Sequence, residues 1–213
     1  MSAAQKKAIY KTVIGLCLAM VVIFGLFLNK LFTPRVMSKQ ELRANGAVVF
    51  DTPRLIKDFE LLDHNGEAFE LENLQGKWTL AFFGFTHCPD ICPATLLQLS
   101  QVYKKLNDDI RDETQVILVS LDPARDHGET LAKYVNHFHP DFVGVTGDFI
   151  QIKRLANNLS VAFSKVVQGD DYTVDHTGNI FLINPKGHYH GFIRPPFELA
   201  RLKGIHQSLV TAF

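Results

Sequence analysis

Residues 78–106 read WTLAFFGFTHCPDICPATLLQLSQVYKKL, and this stretch decides the fold. Trp78 to Phe85 is a continuous apolar run of strand length, the pattern of a strand buried on both faces in an α/β sheet. From Pro93 to Leu106, Leu96, Leu99, Val102 and Leu106 recur at helical spacing. Between strand and helix lie Cys88 and Cys92, each followed by proline. A residue before proline is pushed towards extended backbone, so both cysteines are expected outside regular helix. Pro93 suits the first helical position, which sets Cys92 at or next to the N-cap. There the helix dipole and free N–H groups favour thiolate and lower the thiol pKa.

Outward from this corner the pattern repeats. Thr114 to Leu121 and Phe142 to Val145 read as strands. Glu129 to Phe138 and Phe149 to Leu159 read as helices with one apolar face. Val161 to Val167, Asn179 to Ile183 and Tyr189 to Ile193 read as further strands, and Phe197 to Val210 as a terminal helix. Upstream, residues 58–72 form a predicted β-hairpin around Asp63-His64-Asn65-Gly66. Strands alternating with helices predict an α/β domain with a central sheet covered on both sides. No internal repeat or low-complexity tract is found.

Thr12 to Asn29 carries no charge and as a helix spans roughly 27 Å, near the hydrocarbon thickness of a bilayer. Lys6, Lys7 and Lys11 precede it, so the positive-inside rule leaves the N-terminus in the cytoplasm and exports residues 31–213. A cleaved signal peptide is the competing reading. The apolar run exceeds the usual ~7–15 residues and no small-x-small site follows. Cys17 follows Leu16 rather than a small residue, so it is read as packing, not as a lipidation site. The lysine-bearing, arginine-free N-terminus does not resemble a mitochondrial transit peptide. The expected organisation is a cytoplasmic N-terminus over 1–11, an anchor over 12–30, a linker over 31–54 punctuated by Pro34, Asn45-Gly46 and Pro53, and an exported domain over 55–213.

Net charge is zero, which argues against nucleic acid as a partner. Residues 1–30 hold four lysines and no acids, so the remainder carries 18 basic and 22 acidic residues, a net charge of −4. An exported thiol pair meets an oxidising compartment and needs a reducing partner to stay open.

The pair itself admits three readings. Buried structural cysteines are one, although two prolines at a strand-to-helix corner serve no such purpose. Disulfide exchange is the second, although thioredoxin-type motifs usually separate the thiols by two residues, and here there are three. Metal binding is the third. Zinc ordinarily takes four ligands and no second cysteine pair exists. Two thiolates with one imidazole suit a soft cation such as Cu(I). From pattern alone the third ligand stays open among nine histidines. His87 adjoins Cys88 but alternates away from it on extended chain. His137 with His139, and His188 with His190, share His-x-His form. His64 sits in a predicted turn and His206 in a helix. His176 lies at a loop-to-strand boundary beside Asp175, where sites in α/β sheets gather.

Three blocks in order resemble the Sco/SenC family, the copper proteins of cytochrome c oxidase assembly: Phe83-Gly84-Phe85-Thr86-His87-Cys88-Pro89-Asp90-Ile91-Cys92-Pro93, Ser120-Leu121-Asp122-Pro123-Ala124-Arg125-Asp126 and Tyr172-Thr173-Val174-Asp175-His176-Thr177. The resemblance covers roughly residues 55–210. It implies a thioredoxin-like fold with extra hairpins and a copper site built from Cys88, Cys92 and His176, as Cu(I) and with Cu(II) left open. It implies a place for Asp122 near that site. His127 departs from the threonine or serine usual in the family, a change that is either neutral or adds a nitrogen donor near the site. The function implied is a membrane-anchored metallochaperone, not an enzyme in the strict sense, serving the CuA centre of oxidase subunit II or another cuproprotein. It would sit in a bacterial inner membrane with its domain in the periplasm. The alternative is a thiol–disulfide oxidoreductase in which Cys88 and Cys92 are catalytic, acting on the cysteines of a copper acceptor. A peroxidase of the peroxiredoxin kind is disfavoured, because Cys88-Pro-Asp-Ile-Cys92 does not resemble a peroxidatic motif.

Overall fold

The computed structural model describes residues 3–32 and 36–213. The chain divides into two compact units, Met1–Val36 and Met37–Phe213. In the first, α1 (Ala3–Phe32) contains an apolar stretch, Gln5–Leu28, with a mean hydropathy of 2.4. Its length and composition fit a membrane anchor or a signal sequence. The expected anchor lies inside this helix. Pro34 and residues 1–2 lie outside the described residues.

The second unit is built on an eight-stranded sheet. In chain order its elements are α2 (Lys39–Ala44), β1 (Ala47–Leu55), β2 (Leu61–Asp63), β3 (Ala68–Phe69), β4 (Trp78–Gly84), α3 (Ile91–Tyr103), α4 (Asp108–Asp112), β5 (Thr114–Ser120), α5 (Gly128–Phe138), β6 (Val143–Thr146), α6 (Phe149–Asn158), β7 (Phe163–Gln168), β8 (Asp171–His176), β9 (Ile180–Ile183), β10 (His188–Ile193) and α7 (Leu199–Ala212). The sheet runs β1-β10-β9-β4-β5-β6-β2-β3, and β7 pairs with β8 in a separate hairpin. β4, β5 and β6 are parallel, and β9 lies antiparallel to β4. Every residue of β4 is buried, as its uninterrupted apolar sequence predicts. This is the expected α/β sandwich, thioredoxin-like with added hairpins.

The predicted hairpin forms as β2 and β3. Asp63 Oδ1 accepts from the backbone N–H of Asn65 and of Glu67, and Gly66 takes φ +87°. His64 Nδ1 accepts from the Gly144 N–H at 3.0 Å, which ties the turn to β6.

Residues expected to be linker are corrected by the structure. Ser38 and Glu41 cap α2 reciprocally, and β1 pairs antiparallel with β10. The folded unit therefore begins at Met37, not at 55. The reason is long-range: the short run Ala47-Val48-Val49-Phe50 finds a partner some 140 residues downstream, Ala47 opposite Ile193. The pairing leaves Phe50 edge-on to Tyr189 at 4.9 Å. The register slips between Val49 and Arg54, and β1 forms one edge of the sheet.

Candidate metal centre

The parallel strands β4 and β5 end side by side, Gly84 opposite Ser120, and the loops that leave these ends build the site. After β4 the chain turns, with the Cys88 N–H bonded to the Phe85 carbonyl at 3.3 Å, and α3 starts at Ile91 with Asp90 as N-cap. This corrects the expected corner. Cys92 lies inside the first helical turn and Pro93 is its third residue. The first four N–H groups of a helix have no internal partner, so Pro93 costs no hydrogen bond there.

The expected polarity of the pair is also reversed. Cys92 is fully buried, while Cys88 is half-exposed in front of the helix end. The Cys92 N–H donates to Cys88 Sγ at 3.4 Å. A bond from the Cys92 thiol, then one from His176 and the N–H groups of Asp90 and Cys92, outweigh partial burial and lower the Cys88 pKa to about 4. Cys92 is pushed upward because its proton serves the Cys88 thiolate and because it is buried. The arrangement thus favours the negative charge on Cys88 and the proton on Cys92.

His176 ends β8, so the segment before it is strand rather than the expected loop, held in pairing with β7. Its Nε2 lies 3.6 Å from Cys92 Sγ, and its ring packs edge-on to Phe82 at 5.9 Å and Phe85 at 6.2 Å. The donor atoms of Cys88, Cys92 and His176 all lie within 4.8 Å of one another. A cation at the centre of such a triangle is no more than about 2.8 Å from each, and small side-chain shifts reach the ~2.3 Å typical of zinc–thiolate bonds. Soft donors in low number suit a monovalent soft ion over one that demands four to six ligands.

Among the described residues no other His, Cys or carboxylate joins this group. His127 does not add a donor: it precedes α5, and its Nδ1 lies 3.2 Å from the Arg125 carbonyl. His139 packs on Tyr103 and lies 3.8 Å from Asp141, and His190 packs on Trp78. His206 is a core residue, bonded to Thr114 Oγ1 at 2.7 Å. Asp122 accepts from the Tyr172 hydroxyl at 2.8 Å and pairs with Arg125.

Two neighbours escaped sequence reading. Asp126 is fully buried and accepts from the Thr86 N–H at 2.8 Å, the Thr86 hydroxyl and the Ser120 hydroxyl at 2.7 Å. It joins the thiol-bearing loop to the end of β5, and its charge adds to what holds the Cys92 proton. The available signal was its place at the end of the block 120–126, in the loop that follows a buried strand. Tyr134 on α5 buries a hydroxyl without a hydrogen-bond partner among the described residues, its pKa pushed up by burial and then by the negative charge of the thiol pair and of Asp126. A helical tyrosine carries no such signal in sequence.

The SCO1/SenC family model matches residues 50–209. Protein SCO2, mitochondrial, of Saccharomyces cerevisiae is 40% identical over 150 residues, which are 69% of this chain and 48% of that protein. The chain thus spans about half the yeast relative. Among solved structures, Arabidopsis thaliana ScoI with copper bound is 33% identical with a TM-score of 0.68, covering 74% of this chain and 99% of that one. Bradyrhizobium japonicum ScoI with copper bound is 36% identical with a TM-score of 0.65, covering 75% and 99%.

Proposed function

The chain belongs to the SCO1/SenC family, and from that premise we propose that it is a copper-binding protein of cytochrome c oxidase assembly, anchored by α1, that delivers Cu(I) to the CuA centre of subunit II or to another cuproprotein. The observation that carries this reading is the convergence of Cys88, Cys92 and His176. Lysines before the anchor support an inner-membrane location with the folded unit in the periplasm.

The chemistry follows from the protonation of the pair. Cys88 is ready as thiolate, and Cys92 gives up its proton as Cu(I) binds, so loading releases one proton to water. His176 completes the set from the hairpin side. Delivery is ligand exchange: acceptor thiolates replace Cys88, Cys92 and His176 in turn, and the ion keeps its charge. The half-exposed Cys88 faces the acceptor first. Alanine at each of the three positions is expected to weaken Cu(I) binding in competition with a chromophoric chelator. Undiminished affinity in all three variants would sink the proposal.

The low pKa of a half-exposed Cys88 favours a second reading, thiol–disulfide exchange. The Cys88 thiolate attacks an acceptor disulfide, forming a mixed disulfide and releasing one acceptor thiolate, which takes up the Cys92 proton. The Cys92 thiolate then attacks Cys88 Sγ, frees the second acceptor thiolate and leaves Cys88–Cys92 oxidised. A thiol reductant must then reopen the pair. The two activities fit one cycle, since an acceptor must be reduced before it can take copper. Cys92→Ser should trap a mixed disulfide with the acceptor. Full exchange activity in His176→Ala would separate this role from copper carriage.

A further inference from the structure

The hairpin of β7 and β8 carries His176 yet pairs with no other strand among the described residues. We propose that Arg125 is a positioning residue that clamps this hairpin through Tyr172 and so decides whether copper is held by three donors or by two. The inference rests on the copper reading above.

Alternation along β8 puts Tyr172, Val174 and His176 on one face. Val174 is buried, so that face is the one turned to the body of the protein. Tyr172 and His176 stand about 13 Å apart along the strand at ~3.3 Å per residue. A cavity of about 320 Å³ lies between hairpin and body, lined by Leu121, Pro123, Phe149, Phe163, Tyr172 and Val174. Val174 is the only buried residue of β7 and β8, so the rest of the hairpin's attachment falls to its ends.

At the near end Phe163 packs edge-on to Phe149 of α6 at 6.0 Å, and the chain enters β7 through Val161, whose N–H donates to the Ala156 carbonyl at 2.8 Å. At the far end stands Arg125. Its guanidinium pairs with buried Asp122, donates to the Tyr172 carbonyl and to Asp171 Oδ1, each at 3.2 Å, and lies 3.8 Å from the centre of the Tyr172 ring. The Tyr172 hydroxyl closes the loop by donating to Asp122. A planar, permanently charged fork that also stacks is what this geometry uses, and a lysine cannot supply it. Arg125 directly precedes Asp126, which fixes Thr86 in the thiol-bearing loop. Adjacent residues of one loop thus hold the two halves of the site, Asp126 the thiols and Arg125 the imidazole.

The test uses the full chain in detergent, loaded with Cu(I). The variant pairs Arg125→Gln with Asp122→Asn, so that no buried carboxylate is left alone. Tyr172→Phe is a milder second variant, which loses the bond to Asp122 and retains the ring. X-ray absorption reads whether a nitrogen donor accompanies the two sulfurs, and chelator competition reads affinity. The double variant is expected to lose the nitrogen signal and on the order of 10–100-fold in affinity, as for other outer partners of metal ligands. Tyr172→Phe should shift both readouts less, in the same direction. Adding His176→Ala to the double variant should cost nothing more, because the clamp acts through His176. Retention of the nitrogen donor and wild-type affinity in both variants overturns the clamp, as do fully additive losses with His176→Ala. A wild-type chain that holds no Cu(I) overturns the copper reading itself.

Discussion

Replacing Gly84 with alanine tests how the thiol pair is held. An added Cβ at this position would lie 2.8 Å from Cys92 Sγ, 3.2 Å from Phe82 Cε1 and 3.4 Å from Leu118 Cδ1. Ordinary contacts of this kind are about 3.5–4.0 Å, so the sulfur must retreat by roughly 1 Å. Cys92, Phe82 and Leu118 are all fully buried, which leaves little free volume to absorb the shift. Overpacking of this sort costs about 1–3 kcal/mol. In a domain of this size each kcal/mol moves Tm by about 2–4 °C, so a fall of roughly 2–12 °C is expected. The effect on copper should exceed that on stability. Metal-site distances tolerate about ±0.2 Å, far less than the displacement of Cys92 from its 3.6 Å approach to His176. A rise of about tenfold or more in Kd for Cu(I), equal to at least ~1.4 kcal/mol, follows. Thermal unfolding and chelator competition measure the two effects. Gly178→Ala is the control, because its Cβ would meet nothing closer than Ile91 Cγ2 at 4.0 Å. Gly84→Ala with an unchanged Tm and unchanged Cu(I) affinity would refute the argument that close packing against β4 fixes Cys92.

Three further outcomes are expected. Burial lowers the His206 pKa to about 4 from an ordinary 6.5, so the folded state prefers the neutral ring. That preference is fully present above pH 6.5 and is lost as pH falls from 6.5 to about 4, a loss of roughly 3 kcal/mol. Urea midpoints across this window should fall for the wild type and lose that slope in His206→Leu; parallel profiles would count against it. Alkylation by iodoacetamide should reach Cys88 down to pH values near 4, leave Cys92 largely unmodified, and shift to higher pH in Cys92→Ala, which lacks the principal donor to the thiolate. Equal reactivity of the two thiols would contradict the assignment. Tyr134→Phe removes a buried hydroxyl with no partner and should raise stability by about 1 kcal/mol in urea unfolding, where a loss would reveal a bond to that hydroxyl.

Much of this was legible in the residues because it is local. The uninterrupted apolar run of β4, the helical period of α3 and the Asp-His-Asn-Gly turn each specify their element without help from distant chain. The thiol pair was equally plain. His176 was not: proximity to Cys92 depends on a residue 84 positions away in sequence, and the pattern left it one candidate among nine until the resemblance singled it out. Which thiol is charged also escaped, because it depends on Cys92 being inside the helix and buried, a matter of packing rather than of spacing. The strand β1 was lost for the same reason, since a short apolar run is a strand only where a partner edge exists. Asp126 and Tyr134 needed three dimensions to become visible as neighbours of the site.

The slipped register of β1 also bears on how copies of the protein behave towards one another. An outer strand offers a row of free N–H and C=O groups to any passing extended chain. Here the row is broken: Pro53 lacks the donor, the ladder with β10 shifts between Val49 and Arg54, and charged Asp51 and Arg54 occupy the same stretch. Each of these devices spoils the template that a second chain would need. The edge nearest the N-terminal end of the folded unit is thereby a poor seed for strand addition by a second copy, which matters wherever copies meet at high local concentration.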